Sequence, residues 1–250
     1  MATKRHDGRK PDQLRDLRIL RRYTRYAGGS VLIATGQTQV LCTAFAEPGV
    51  PAWLEGAGKG WLTAEYGMLP SSTPQRKRRP ERTDGRAQEI QRLIGRSLRA
   101  VLDLARMPDL TIAVDCDVLQ ADGGTRTAAV TGAYVALVDA VRNALERGLI
   151  AQNPITGAVA AVSAGIVDGR ILLDLDYVED SSAELDFNVV MTDRGQFVEV
   201  QGTAEGDHPF SRAQLDRLLD YAASGIARLV EIQRDALASP RPASTNAPAR

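Results

Sequence analysis

Residues 110–127 have the sequence LTIAVDCDVLQADGGTRT, which passes from an apolar run through two glycines into a cationic segment. Leu110–Leu119 predicts a strand, which Asp122-Gly123-Gly124 interrupts. The chain that follows, from about Arg126 to Arg147, is largely apolar and predicts a buried helix. A strand, a glycine turn and a buried helix therefore form the unit from which we infer the fold.

The glycine turn is also the strongest local candidate for a binding site. Paired glycines let the backbone approach a ligand closely, and the free N–H groups at a helix start attract anions. The Thr125 hydroxyl and the Arg126 guanidinium add donors at the same point. A tight turn with an Asp or Thr cap explains the glycines equally well. It does not explain a long cation at the mouth of an apolar helix.

The segment before this strand predicts an amphipathic helix from Arg86 to Met107. Apolar side chains recur there at three- and four-residue steps: Ile90, Leu93, Ile94, Leu98, Val101, Leu102 and Ala105. Arg86 lies four residues before Ile90, near this stripe, where a guanidinium needs a carboxylate or a bound phosphate as its partner. A separate cationic stripe consists of Arg92, Arg96 and Arg99. It suits a phosphodiester backbone, although a solvated face would have the same pattern.

The amino-terminal part predicts strands and one long connection. Residues 1–27 are basic, and their candidate core contacts are Leu14, Leu17, Ile19 and Leu20. Val31–Ala34 and Val40–Phe45 predict a hairpin across Gly36. The stretch from Pro48 to Pro80 is rich in glycine and proline, and its length predicts a functional or partly disordered loop.

The second half predicts two strand pairs and a terminal helix. Val159–Val167 and Ile171–Tyr177 are joined by a hairpin turn, Asp168-Gly169. Leu185–Thr192 and Gln196–Gln201 form the next pair, and Ser211 with Gln214 predicts a capping box at the last helix. Each half thus has strands followed by long helices. This order predicts an α+β fold in two similar layers, about residues 1–150 and 151–238, with a disordered tail at 239–250.

Residues 174–207 are strongly acidic, with Arg194 as the only base among ten Asp and Glu side chains. The carboxylates at the strand ends are Asp174, Asp176, Asp180, Glu184 and Asp186. Such groups can converge on a hard cation such as Mg²⁺, or they can be exposed charges at turns.

Composition excludes several classes of protein. Lys plus Arg and Asp plus Glu both number 31, and this neutral balance argues against a protein that simply coats nucleic acid. Cys42 and Cys116 lie in apolar runs and give no disulfide framework, which favours a reducing cytoplasm.

No apolar run is long enough to span a bilayer, so we expect no membrane association. With only His6 and His208 present and no G-x-S-x-G motif, a serine–histidine triad is not expected.

Several strings taken together resemble the bacterial RNase PH family. They are residues 7–9 (DGR), 60–70 (GWLTAEYGMLP), 88–99 (QEIQRLIGRSLR), 115–127 (DCDVLQADGGTRT), 174–177 (DLDY), 179–181 (EDS), 188–192 (NVVMT) and 199–206 (EVQGTAEG). They occur in order over roughly residues 5–236. The resemblance implies the RNase PH or ribosomal protein S5 domain 2-like fold, which polynucleotide phosphorylase and exosome core subunits share.

The same resemblance implies an activity and an assembly. Members are phosphate-dependent 3′→5′ exoribonucleases that trim tRNA precursors, and in reverse they add nucleotides. They are homohexamers, trimers of dimers. Ser71 and Ala87 depart from the residues common in the family, and residues 75–84 are unusually rich in arginine and proline.

The family's functional residues can be transferred to matching positions. Orthophosphate would be held by Arg86, Gly124, Thr125 and Arg126. Mg²⁺ binding and catalysis would belong to Asp180 and Asp186. Two other interpretations are a silent ring subunit, which would be expected to lack these residues, and a phosphorylase of small nucleosides, which would not need the cationic stripe.

Overall fold

The computed structural model describes residues 5–78, 85–206 and 209–239. The strands are β1 (Leu17–Arg21), β2 (Gly29–Thr35), β3 (Thr38–Pro48), β4 (Trp61–Met68), β5 (Leu110–Gln120), β6 (Val159–Val167), β7 (Arg170–Leu173), β8 (Leu185–Thr192) and β9 (Phe197–Ala204). The helices are α1 (Gly85–Arg99), α2 (Thr125–Glu146), α3 (Tyr177–Asp180) and α4 (Arg212–Ala238). Short 3₁₀ turns lie at Ala52–Leu54 and Leu104–Arg106.

The first sheet has the strand order β1-β2-β3-β5-β4. Strands β2 and β3 form the predicted hairpin. Strand β4 pairs in parallel with β5 and lies inside the stretch that we expected to be a loop, Pro48 to Pro80. That expectation is wrong for residues 61–68, where Leu62, Ala64 and Tyr66 are buried in alternation with exposed Thr63 and Glu65. The alternating pattern is short, and the glycines and prolines on both sides of it favour the prediction of a loop.

Helix α1 is shorter than its apolar periodicity predicts. It ends at Arg99 rather than Met107. Beyond that point the backbone pairs with a distant segment: the Asp103 N–H donates to the Pro154 carbonyl, and the Thr156 N–H donates to the Val101 carbonyl. Val101 is therefore buried by tertiary pairing, which periodicity cannot distinguish from a helical turn.

The second sheet has the order β7-β6-β8-β9. The predicted turn joins β6 and β7, with both Asp168 and Gly169 at positive φ. Strand β7 ends at Leu173 and not at Tyr177, because Asp174 adopts φ 54° and leaves the strand conformation. Asp176 then caps the short helix α3.

The buried helix α2 connects the two sheets. It packs against β2 and β3 of the first sheet and against β6 of the second. Its close approach to β2 requires Gly29, since a Cβ there would lie 1.8 Å from the Ala136 carbonyl oxygen. Most of α2 is buried, as predicted, and both sheets contribute to one hydrophobic cluster. The two halves therefore share one hydrophobic core. That they are similar to each other in structure stays a prediction.

Two further predictions have simple outcomes. Leu14, Leu17 and Ile19 pack on the core, but Leu20 is 55% exposed and is not a core contact. Ser211 and Gln214 form the predicted capping box at α4. The tail from residue 240 and His208 lie outside the described residues. Among the helices that are described, none has both the length and the apolarity to cross a membrane.

Candidate active site

The turn at residues 122–124 is held from two sides. The Thr38 hydroxyl donates to the Gly123 carbonyl oxygen at 2.7 Å and accepts from the Asp122 N–H at 2.9 Å. Arg15 Nη1 donates to the Asp122 carbonyl oxygen at 2.6 Å. Both anchoring side chains are buried, so the turn that begins α2 is fixed in place.

The same turn packs against the loop that leads to Asp180. A Cβ on Gly123 would lie 2.7 Å from the Leu175 carbonyl oxygen, and φ is 72° at this position. Glycine is therefore required for the two backbones to meet. The contact brings the start of α2, from the first half of the chain, beside α3, from the second half.

The mouth of α2 is open to a ligand. Gly124 occupies the N-cap position at φ 64° and has no side chain with which to cap the helix. The first N–H groups of a helix lack intrahelical partners and attract anions. The Thr125 hydroxyl lies 2.8 Å from the hydroxyl of Tyr66, which is buried beside it. Two of the predicted positions, Gly124 and Thr125, thus lie together at the start of α2.

Arg126 is anchored by polar groups from two other elements. Its Nη1 donates to Gln201 Oε1 on β9 at 2.6 Å and lies 3.6 Å from Glu89 Oε1 on α1. Gln201 Nε2 in turn donates to Glu89 Oε1 at 2.6 Å. The other guanidinium nitrogens make no hydrogen bond to any residue that the structure describes. Arg126 is therefore fixed at one side and free to donate at the other.

Arg86 lies in the first turn of α1 and is exposed. We expected its guanidinium to lie near the buried face and to need an anionic partner there. In the single chain its exposure removes that need. Its charge nevertheless acts at the same place as that of Arg126. Burial raises the pKa of Tyr66, while Arg86 and Arg126 both oppose that rise. The two arginines also act together on Asp180. Both cations therefore lower the pKa values of the same two groups, Tyr66 and Asp180.

The two predicted carboxylates lie close to these arginines. Asp180 ends α3, and Asp186 lies on β8, where its Oδ1 accepts from Asn188 Nδ2 at 3.0 Å. Burial raises the pKa of the Asp180 carboxyl, and the negative charge of Asp186 raises it further. Arg86 and Arg126 partly offset this rise. The site therefore combines two carboxylates that repel each other with cations that partly offset their charge.

Buried arginines from the amino-terminal segment hold the loop that carries Asp180. Arg5 binds the Glu179 carboxylate with two nitrogens and donates to the Leu173 carbonyl oxygen at 2.7 Å. Arg15 pairs with Asp174 at 2.8 Å. The side chains of both ion pairs are almost fully buried. This network positions the loop that carries Asp180 and was not anticipated from the sequence.

A second group of possible metal ligands is already engaged in that network. His6, Asp176 and Glu179 place three ligand atoms near one another. Glu179 is bound by Arg5, and Asp176 accepts from the Glu179 N–H as the cap of α3. We therefore assign these three side chains to the structural network around Glu179 and not to a metal site.

The cationic stripe of α1 divides into three environments. Arg92 is exposed. Arg96 pairs with Glu199 of β9 at 2.6 Å. Arg99 donates to the Leu62 carbonyl oxygen at 2.8 Å and lies over the Trp61 ring. Their binding to RNA stays a prediction.

Four residues with a place in the site were missed as functional positions: Arg15, Tyr66, Glu89 and Gln201. Tyr66, Glu89 and Gln201 lie inside the strings that carried the resemblance, but strings do not indicate which side chains meet. Arg15 lies in a basic segment whose individual arginines look alike. Only the packing of the turn against residues 174–180 singles it out.

Comparison with known proteins gives the family. The model of the 3′ exoribonuclease family matches over residues 13–143 (domain 1) and 157–225 (domain 2). Ribonuclease PH of Rhodococcus erythropolis is 58% identical over 244 residues, which cover 96% of this chain and 93% of that protein. Ribonuclease PH of Nocardia farcinica is 56% identical over 251 residues, 99% of this chain and 97% of that protein.

Solved structures show the same fold at low identity. Rice Rrp46 matches with a TM-score of 0.76 and 21% identity, over 93% of this chain and 100% of that chain. A chain of the Archaeoglobus fulgidus exosome with RNA bound to the active site matches with a TM-score of 0.78 and 23% identity, over 92% of each chain. With the two-domain match and the near full-length relatives, the chain belongs to the 3′ exoribonuclease family and is of the bacterial RNase PH type.

Proposed function

We propose that this protein is a phosphate-dependent 3′→5′ exoribonuclease that trims the 3′ ends of tRNA precursors. Inorganic phosphate attacks the last phosphodiester, and the terminal nucleotide leaves as a nucleoside diphosphate. The reverse reaction adds nucleotides. One observation carries the proposal: the uncapped start of α2, which bears Thr125 and Arg126, packs through Gly123 against the loop that leads to Asp180.

Phosphorolysis has to bring two anions together. Arg86, Arg126 and the first N–H groups of α2 supply positive charge and donors for the attacking phosphate, and the Thr125 hydroxyl adds another donor. Because the turn at 122–124 is anchored, these donors are in place before the phosphate arrives. Such preorganisation lowers repulsion and sets the line of attack.

Asp180 and Asp186 fit the role of Mg²⁺ ligands. Oxygen donors suit this hard cation, and a cation would relieve the repulsion by which Asp186 raises the pKa of Asp180. When bound, Mg²⁺ would neutralise charge on the scissile phosphate. As the attacking oxygen bonds to phosphorus, the bond to the 3′-oxygen breaks and that oxygen takes up a proton. One of the two aspartates would supply that proton.

The remaining RNA contacts and the assembly extend this proposal. Arg92, Arg96 and Arg99 line the outer length of α1 and would contact phosphates upstream of the 3′ end. We propose a homohexamer, a trimer of dimers, in the cytoplasm. The buried free thiols Cys42 and Cys116 suit a reducing compartment.

The test is incubation of a tRNA precursor with the protein, with and without orthophosphate. We expect nucleoside diphosphates only when phosphate is present, and an RNA shortened from its 3′ end. Monophosphate products would indicate hydrolysis and contradict the proposal. Turnover of free nucleosides with no action on RNA would favour a small-molecule phosphorylase, and RNA binding without any turnover would favour a silent ring subunit.

A further inference from the structure

Two tryptophans and an arginine form a stacked surface away from the reacting groups. The rings of Trp53 and Trp61 meet edge to face, with centroids 4.9 Å apart and an interplanar angle of 86°. The Arg99 guanidinium carbon lies 4.6 Å from the centroid of Trp61. We refer to these three side chains as the tryptophan platform.

The outer ring of the platform is unusually open. Trp53 is 66% exposed, although tryptophan is normally among the more buried side chains. It lies in a short 3₁₀ turn that follows Pro51, and its ring is held by the edge-to-face contact with Trp61 while most of it stays exposed. A supported, exposed indole offers an aromatic face to a partner.

The cation of the platform is built into place. Arg99 Nη1 donates to the Leu62 carbonyl oxygen at 2.8 Å. A Cβ on Gly95 would lie 2.9 Å from the same nitrogen, so the missing side chain gives the guanidinium room to lie back over Trp61. Within the described part of the chain Arg99 forms no ion pair with a carboxylate. Burial and the neighbouring Arg96 lower its pKa, as expected for a cation that lacks a negative partner.

The platform lies at the far end of the helix that begins at the phosphate site. Arg86 is in the first turn of α1, and Arg99 ends the helix. Thirteen residue steps correspond to about 20 Å along the helix axis. A stacked single strand advances about 3.4 Å per nucleotide, so roughly six nucleotides cover this distance, and fewer if the strand is extended.

From this arrangement we propose that the tryptophan platform stacks a base of single-stranded RNA several nucleotides upstream of the 3′ end, with Trp53 as the stacking side chain and Arg99 facing the backbone. The proposal rests on the proposed exoribonuclease function and adds an upstream RNA subsite to it. Single-stranded RNA is the partner that combines flat rings with regularly spaced negative charge. A protein partner would have to supply an apolar group and a separate carboxylate at the right spacing, whereas each nucleotide carries a ring and a phosphate together.

The platform can be observed directly, because Trp53 and Trp61 are the only tryptophans in the chain. The full-length protein is titrated with an oligoadenylate of about twelve nucleotides, and in parallel with one of about three. Orthophosphate is omitted so that no RNA is consumed. We expect the long oligomer to quench the tryptophan emission and the short one, bound only near Arg86 and Arg126, to leave it almost unchanged.

Variants separate stacking from a general effect on RNA binding. Loss of one base stack corresponds to about a tenfold rise in Kd, so Trp53→Ala should weaken binding of the long oligomer by about tenfold. Binding of the short oligomer and the KM for phosphate should stay within twofold of wild type. Trp53→Phe keeps an aromatic face and should restore most of the affinity. Tyr26→Ala is the matched control, since Tyr26 is 83% exposed and also lies beside an arginine, Arg25, but belongs to another part of the molecule.

Each remaining outcome overturns the proposal. Absence of quenching by the long oligomer would do so, as would an equal loss of affinity for both lengths in Trp53→Ala. Emission that changes with protein concentration, without RNA, would assign Trp53 to a contact between copies of the chain. Failure of the exoribonuclease function is a separate result, because nucleoside diphosphate release would then be missing for every RNA length in the wild-type protein.

Discussion

At the scale of single residues, Arg126 links three parts of the molecule. It begins α2, and its guanidinium is held by Gln201 of β9 and lies near Glu89 of α1. We expect Arg126→Ala to lower kcat/KM for phosphate by about 100-fold, the usual effect of removing one preorganised donor. Steady-state kinetics at varied phosphate measures this. Arg142→Ala, on the same helix at its other end, is the control and should change the value less than twofold.

Tyr66 sets the direction in which the Thr125 hydroxyl donates its hydrogen bond. If the more acidic phenol donates to Thr125 Oγ1, the hydrogen of Thr125 is left to point at the phosphate. Tyr66→Phe should raise the KM for phosphate by about fivefold, which corresponds to one hydrogen bond of about 1 kcal/mol. In a Thr125→Ala background the same substitution should have no further effect. Independent, additive losses would contradict this coupling.

Replacing Asp180 by Asn should lower the activity of the protein and raise its stability at neutral pH. Folding raises its pKa, so the native state binds this proton more tightly than the unfolded chain, and the ionised form destabilises the native state at neutral pH. That penalty disappears as the pH falls below the ordinary value of 3.8. Asp180→Asn should therefore raise the unfolding temperature at pH 7.5 in chelator, and the gain should be lost near about pH 3.5.

The matching activity assay should show turnover reduced by about 100-fold in Asp180→Asn while phosphate still binds. Asp174→Asn is the contrasting variant. Asp174 forms a buried ion pair with Arg15, so this variant should unfold at a lower temperature than wild type at pH 7.5. An Asp180→Asn protein that is less stable than wild type at neutral pH would contradict the assignment.

At the scale of elements, the amino-terminal segment acts as a clamp on the loop before Asp180. The Arg5 side chain is fully buried and its partner Glu179 is nearly so. Arg5→Ala should lower the free energy of unfolding by about 3–5 kcal/mol, because it leaves the buried Glu179 carboxylate with only the more distant Arg9, 3.5 Å away. Arg212→Ala removes an exposed pair with Asp216 and should cost about 0.5 kcal/mol or less. Urea unfolding measures both, and equal small losses would contradict the clamp.

The elements that follow from local rules were predictable. Helix α2, the β6–β7 turn and the cap of α4 are set by apolarity, by Asp168-Gly169 and by Ser211. The elements that were missed depend on distant partners. Strand β4 exists because it pairs with β5, and α1 stops where residues 101–103 pair with residues 154–156. Periodicity in one segment contains no information about such pairing.

The candidate site shows the same limit. The sequence marked Arg126 and the acidic segment, and resemblance then selected Asp180 and Asp186 from it. The contacts that hold them, from Thr38 and Arg15 to the glycine turn and from Gln201 to Arg126, join residues far apart in the chain. Only the folded molecule shows which of many similar arginines meet the site.

At the scale of the whole molecule, each of the two layers contributes one half of the candidate site. In the proposed mechanism the start of α2 supplies the phosphate donors, and the loop around α3 with β8 supplies the carboxylates. The assembly proposed for this unit is a homohexamer. Sedimentation velocity should give a mass about six times the 27.0 kDa of one chain. A species of one chain's mass at micromolar concentration would contradict it.

The central claim is that two arginines and the mouth of α2 form one orthophosphate site. A crystal of the protein soaked in phosphate tests this most directly. We predict a tetrahedral anion in contact with both Arg86 and Arg126, with a hydrogen bond from the Thr125 hydroxyl. A well-ordered site with no anion between the two arginines would contradict the account.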